Sequence, residues 1–387
     1  MSAATGVPPF DAAKLDALME EAGVDLVLAS SRHNVRYLLG DYSTFFAHFD
    51  AIGVERYLPL LGYPRGRPDL AFLVDSALDR WRHEHSPAWI GNVRHGGVSA
   101  TLAIDAARAL VGELGLRPGT VAVEPWFLPE AAARSLEAAL APAAFVDGSA
   151  LLEELRAVKR PDELALLRAG SEHVVEAMAA TVNGVGRAAT TREIVEFLHA
   201  EEIRRGLAFE YCLIATGASL NRDASDAVWA PGSVLSLDSG GCLEGYIADL
   251  CRMAVHAAPS QEQQELHAEV LAIQVAAESA VRAGATGEEV YAVAAEAQAQ
   301  QPHRDAIAFV AHGVGLISHE APRFTDSGPI PYAATHRHRP LEAGMVLSIE
   351  TELRHPTCGF IKLEDTLAVS ACGCERYGEH REWLVAG

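Results

Sequence analysis

The sequence predicts an α/β (α+β) chain of two domains, a smaller α/β domain followed by a larger one, and three observations carry this expectation. The chain has 387 residues, 49% of them hydrophobic, which exceeds one ordinary core and suits two. Its first part alternates helix-period and strand-period patterns. Its second part contains two similar helix pairs, each followed by strand-like runs.

In chain order, an amphipathic stretch at residues 11–22 precedes a continuous apolar run at 24–29. Further apolar runs at 120–123 and 143–146 flank an Ala-rich helical stretch. Residues 151–158 lead into Lys159-Arg160-Pro161-Asp162-Glu163, where proline with acidic neighbours marks a fresh helix start. The boundary is placed there, giving domains over 1–156 and 157–387. Beyond it, a helical segment at 161–183 is followed by Thr190 and Glu193 at capping-box spacing, and a segment at 261–282 by Thr286 and Glu289 at the same spacing. A structural repeat produces this pattern, but so does the commonness of Thr-x-x-Glu among Ala-rich helices, and the pattern alone leaves both open. Strand-like runs follow at 210–214, 234–237, 245–247, 250–255, 345–349 and 359–363.

Composition excludes several partner classes. A formal charge of -21, from 52 acidic against 31 basic residues, repels nucleic acid and anionic lipid. The first ten residues lack a basic segment followed by an apolar run, and no long uncharged apolar stretch occurs later, so a cytoplasmic protein is expected. The six cysteines are scattered and read as reduced thiols, Cys372 and Cys374 included, whose spacing is that of neither a zinc knuckle nor a thioredoxin motif.

Chemistry concentrates on the strand-like runs of the second part. Asp238 ends Ser233-Val-Leu-Ser-Leu, and Asp249 begins the next apolar run, so two adjacent antiparallel strands would each carry one carboxylate. A turn aspartate capping a hairpin is the alternative for either residue alone. Glu350 follows Met345-Val-Leu-Ser-Ile, and Glu364 follows Phe360-Ile-Lys-Leu. Four acids on apolar strands repel one another unless positive charge lies between them, and divalent cations supply it. The run from Phe309 to Pro322 adds His312 and His319 among glycines. Oxygen ligands with one imidazole suit Mn²⁺, Co²⁺ or Zn²⁺ and need neither Cys242 nor Cys251. The remaining histidines His303, His336, His338 and His355 are expected on exposed loops, with a place at the site entrance as the alternative for some of them.

With these residues in place, the region from residue 161 onward resembles the pita-bread metallopeptidases, in particular the aminopeptidase P and prolidase branch. The resemblance rests on Asp238, Asp249, His312 in His-Gly-Val-Gly, Glu350 and Glu364, with Leu363-Glu-Asp-Thr and His319-Glu-Ala-Pro as flanks. The first part resembles the creatinase/prolidase N-terminal domain through Val24-Asp-Leu-Val-Leu-Ala and Asn34-Val-Arg-Tyr-Leu-Leu-Gly. The resemblance implies a pita-bread fold with internal pseudo-symmetry, a homodimer, and two divalent ions held by the five residues. It also implies that Asp249 and Glu364 bridge the ions, that Glu350 takes a proton from the attacking water, and that His319 donates a hydrogen bond to substrate or intermediate.

Two positions depart from that pattern. Asn221 stands where proline-specific relatives carry a histidine, and Lys362 where they carry an arginine. Asparagine cannot become an imidazolium, and lysine cannot reproduce a guanidinium fork. Asn221, His319 and Lys362 are the expected substrate contacts. The leading expectation is an Xaa-Pro aminopeptidase or dipeptidase acting on short peptides. A hydrolase or lyase of a small non-peptide metabolite and a non-catalytic binding protein are the alternatives, the last opposed by the intact ligand set.

Overall fold

The computed structural model describes residues 6–40, 55–96, 99–327 and 331–386, and the chain divides into two compact units, Met1–Leu155 and Arg156–Gly387. The first unit is built on a mixed sheet of strands β1 (Leu26–Ala29), β2 (Leu60–Pro64), β3 (Phe72–Asp75), β4 (Asn92–His95), β5 (Thr120–Val123) and β6 (Ala144–Asp147), in the order β4-β3-β2-β1-β5-β6. The amphipathic stretch forms the helix Ala12–Glu21, with the Asp11 carboxylate accepting the Lys14 amide at 2.9 Å. The Asn34-to-Gly40 motif is a helix, Arg32–Leu39, closed by Gly40 at φ 71°. Buried Glu124 ties its start to the sheet, accepting from the Ser30 and Ser31 amides at 2.6 and 2.9 Å and from Asn34 Nδ2 at 2.6 Å.

The second unit is a pita-bread fold. Its strands are β7 (Ala208–Thr216), β8 (Leu235–Leu243), β9 (Tyr246–Val255), β10 (Ile307–Gly313), β11 (Glu320–Arg323), β12 (Val346–His355) and β13 (Gly359–Val369), in the order β11-β10-β12-β13-β9-β8-β7. Two short strands, β14 (Cys374–Tyr377) and β15 (Leu384–Val385), pair with β13 and β9. The repeat is real. The helices Pro161–Gly184 and Thr191–Arg204 precede β7, β8 and β9, whereas Gln261–Ala280 and Gly287–Ala299 precede β10, β12 and β13. Thr190 and Thr286 both form capping boxes, with Glu193 and Glu289, and each also makes an isolated antiparallel bridge, to Val228 and to Pro340. One core packs Val174, Met178, Ile194 and Leu198 with Leu235, Leu237 and Leu250. The other packs Leu266, Val270 and Ile273 with Leu347, Ile349, Ile361 and Leu363.

The two halves meet where β13 lies against β9, with Glu364 opposite Cys251. The strands are longer than the apolar runs. The runs at 245–247 and 250–255 are one strand, and β8 continues through Asp238 to Leu243. Asp238 and Asp249 are therefore interior strand residues rather than turn caps, and the hairpin turn falls at Glu244 and Gly245, with φ 47° and 92°.

Candidate metal centre

Register decides which side chains share a face. Asp238 and Glu364 both lie opposite Cys251, Asp249 lies opposite Gly240, and Glu350 lies opposite Glu364. Val310, two residues before His312, lies opposite Glu350. Paired residues share a face and alternate residues along a strand return to it. Asp238, Asp249, His312, Glu350, Glu364 and Lys362 therefore project from the same face of the adjoining strands β8, β9, β10, β12 and β13, with three carboxylates almost wholly buried.

The polar atoms form two overlapping groups. Asp238, Asp249 and Glu364 offer oxygens within 4.8 Å of one another, and so do His312, Glu350 and Glu364 with their nitrogen and oxygens. His312 is fully buried. Its Nδ1 lies 3.2 Å from the Gly313 carbonyl, while Nε2 has no hydrogen-bond partner and faces Glu350 Oε1 and Glu364 Oε1, each at 3.9 Å. With Nδ1–H donating to that carbonyl, the Nε2 lone pair points at two carboxylates too distant for a hydrogen bond, the arrangement expected of ligands that share a cation. The donor set, four carboxylates and one imidazole, fits a divalent ion of the Mn, Co or Zn type.

Lys362 enters the same space. Its ammonium stands 2.6 Å from Asp238 Oδ2, 2.5 Å from Glu350 Oε2 and 2.8 Å from Glu364 Oε2. Burial alone disfavours the charged amine, but the three carboxylates outweigh it and hold the Lys362 pKa well above the usual lysine range. Arg222, in the β7–β8 connection, pairs with Asp238 as well. Asp249 has less compensation: burial, then the charges of Glu364 and Asp238, push its carboxyl well above the usual range, and a hydrogen bond from the Tyr211 hydroxyl offsets this in part.

His319 stacks on His312 with ring centroids 3.7 Å apart and planes at 17°. Burial first, then His312, Arg323 and Lys362, push its pKa down to about 3, which favours the neutral ring near pH 7. Its loop is anchored by the next residue. Glu320 Oε2 meets Arg156 Nη2 at 3.0 Å and Glu320 Oε1 meets Lys159 Nζ at 3.0 Å, all three buried. The glycines of His-Gly-Val-Gly make room for this return: a Cβ on Gly313 would lie 2.4 Å from the Ala321 carbonyl, and one on Gly315 2.1 Å from Glu320 Oε1.

A pocket of about 380 Å³ opens over the centre, with Tyr211, Leu213, Arg222, Ser318 and His319 in its walls and Asp238, Asp249, Glu350, Lys362 and Glu364 at its base. Asn221 is not brought to this lining. It is exposed in a turn, where its Oδ1 accepts the Asp223 amide at 3.1 Å, and the neighbouring Arg222 is the residue that reaches in. Tyr211, Arg222, Arg156 and Lys159 were not singled out from the sequence. Tyr211 left one signal, Gly240, where any Cβ would come within 2.3 Å of the tyrosine ring. The other three carried none, because their partners are remote in sequence.

The profile of the Metallopeptidase family M24 matches residues 165–371, more than half of the chain. The chain belongs to this family. The Creatinase/Prolidase N-terminal domain matches residues 12–158. An Xaa-Pro dipeptidase of Pyrococcus furiosus is 28% identical over 233 residues, 58% of this chain and 64% of that protein, so the match spans less than two thirds of that relative's length. An uncharacterized peptidase of Bacillus subtilis, YqhT, is 24% identical over 93% of this chain and 95% of its own. Among solved structures, an Xaa-Pro dipeptidase from Bacillus anthracis superposes with TM-score 0.81 at 22% identity, covering 97% of this chain and 99% of that one. An X-Pro aminopeptidase from Thermotoga maritima gives 0.79 at 22%, covering 95% and 99%. At these identities the structures establish the shared M24 fold.

Proposed function

We propose that this M24 chain is an Xaa-Pro peptidase, releasing an N-terminal residue or splitting a dipeptide, with two divalent ions held by Asp238, Asp249, His312, Glu350 and Glu364. The observation that carries the reading is the unpartnered, buried Nε2 of His312 facing two carboxylates of a four-carboxylate cluster. Bound ions supply an electrophile for the scissile carbonyl and lower the pKa of water towards neutrality. The chain's own residues supply the rest. Glu350, with 14% of its side chain exposed, is the most open of the candidate ligands, which supports a role in accepting the proton of the attacking water. His319, held neutral, donates its N–H to the oxygen on which charge develops. Arg222 offers a guanidinium to a peptide carboxylate, and partly exposed Leu213 gives apolar contact for a proline ring. The proline preference follows the names of the Pyrococcus, Bacillus anthracis and Thermotoga proteins, which are Xaa-Pro peptidases. A cytoplasmic homodimer belongs to the same reading; among the described residues no helix is long and apolar enough to cross a membrane.

A second reading, hydrolysis of a small non-peptide amide, is favoured by Lys362 among the carboxylates and by Asn221 lying outside the pocket. Hydrolysis of Ala-Pro, Ala-Ala and Ala-Pro-Ala by Mn²⁺- or Co²⁺-loaded protein, before and after chelation, separates the two. Chelator-sensitive cleavage that favours proline supports the peptidase. No cleavage of any of them by metal-loaded protein overturns it and directs the search to non-peptide amides.

A further inference from the structure

The far end of the β12–β13 hairpin carries a second set of metal-binding groups. The turn runs His355-Pro-Thr-Cys358, and His355 pairs with Gly359 across it. Opposite stands Glu262, in the first turn of the helix Gln261–Ala280. Cys358 Sγ lies 3.7 Å from Glu262 Oε2, His355 Nε2 lies 4.0 Å from Glu262 Oε1, and the donor atoms of the three residues are all within 4.8 Å of one another. His355 Nδ1 sits 3.0 Å from Thr357 Oγ1. If that nitrogen carries the proton and donates it to the hydroxyl, the Nε2 lone pair is left for a ligand.

We propose that His355 Nε2, the Cys358 thiolate and one Glu262 carboxylate oxygen form a separate site for a borderline-soft divalent cation of the zinc type, with the fourth position open. Tetrahedral zinc places sulfur and oxygen ligands about 3.6 Å apart and nitrogen and oxygen ligands about 3.4 Å apart; the observed 3.7 and 4.0 Å run to the two different oxygens of Glu262, so a rotation of this exposed carboxylate and a closure from within 4.8 Å bring one oxygen to both partners. The fourth position faces a groove of about 450 Å³ whose walls include Glu262, Glu265, Glu269, His303 and His355. His303 presents its ring edge to His355 with centroids 5.5 Å apart, and its Nδ1 lies 2.7 Å from Glu269 Oε1. Binding transfers the Cys358 proton to solvent and ties the hairpin turn to the helix. Thiolate and imidazole distinguish this set from the oxygen-rich centre, which lies five residues along β12, at about 17 Å by strand spacing.

Cobalt is the probe. The full chain titrated with Co²⁺ is expected to develop a thiolate-to-cobalt charge-transfer absorption, and Cys358→Ser and Glu262→Gln are each expected to abolish or shift it. Both variants should also bind one fewer zinc per chain by mass spectrometry while peptide hydrolysis and circular dichroism stay unchanged. Glu262 is exposed, so its substitution does not threaten the fold. No thiolate band at saturating Co²⁺, or a band that survives in Cys358→Ser, overturns the assignment.

Discussion

Asp249 is a buried carboxylate with no cation within salt-bridge distance in the described structure, whereas Asp238 has Lys362 and Arg222. Replacing it with alanine relieves repulsion and removes a candidate bridging ligand. Asp249→Ala is expected to lose bound metal and activity together with an unchanged circular dichroism spectrum; undiminished metal content by mass spectrometry would exclude Asp249 from the centre. Glu202 poses a related problem away from the metal. It is fully buried in the helix Thr191–Arg204 and accepts from Ser239 Oγ at 2.8 Å, and burial raises its pKa to about 7. A raised acid pKa means that the neutral form is the one the fold favours. Its contribution is complete below the ordinary value of 4.5 and is lost as pH rises through 7. Glu202→Gln stays neutral, so its stability should match wild type near pH 4.5 and exceed it by up to about 3 kcal/mol at pH 8, read by urea unfolding. Equal stability at pH 8 would show that Glu202 ionises without penalty.

Elements place these residues by register, and their boundaries were the least legible part of the sequence. Apolar runs mark a strand only where its neighbours are apolar. β8 and β9 continue through aspartate, serine and glycine because Tyr211 covers Gly240, and Val174 and Leu207 crowd Gly241. Helix starts were more legible: Pro161 and both Thr-x-x-Glu boxes lie where the residue types require, since capping is a local interaction. The loop bearing His319 depends on the buried group of Glu320, Arg156 and Lys159. Glu320→Gln removes the carboxylate that pairs with buried Arg156 and Lys159 and is expected to cost about 3–5 kcal/mol in denaturant unfolding. In whatever folded fraction remains, turnover should fall more than metal content. A variant as stable as wild type would mean that solvent or another acid compensates the pair.

At the scale of the whole second unit, the centre lies on the seam between two similar halves, Asp238 and Asp249 coming from one and His312, Glu350 and Glu364 from the other. A cation there bonds both halves, so added Mn²⁺ is expected to raise the unfolding temperature of this unit and chelation to lower it. Lys362 holds the seam when no ion does, and an ion must compete with its ammonium for three carboxylates. Lys362→Met is therefore expected to unfold at lower temperature when metal-free yet to bind Mn²⁺ at least tenfold more tightly by calorimetry. Unchanged affinity would show that the amine leaves the ion positions unaided.

The sequence by itself determined the two-part α/β organisation and the M24 membership and singled out the acids and histidines of the candidate centre, because strand periodicity, caps and ordered motifs are carried by neighbouring residues. It also marked Lys362 and Asn221 as departures. Only the tertiary structure decided what those departures do. Lys362 points into the carboxylates, Asn221 faces solvent and the neighbouring Arg222 lines the pocket. Those outcomes depend on which strands become neighbours and in what register, and pairing between segments a hundred residues apart is set by packing of the whole unit rather than by local sequence.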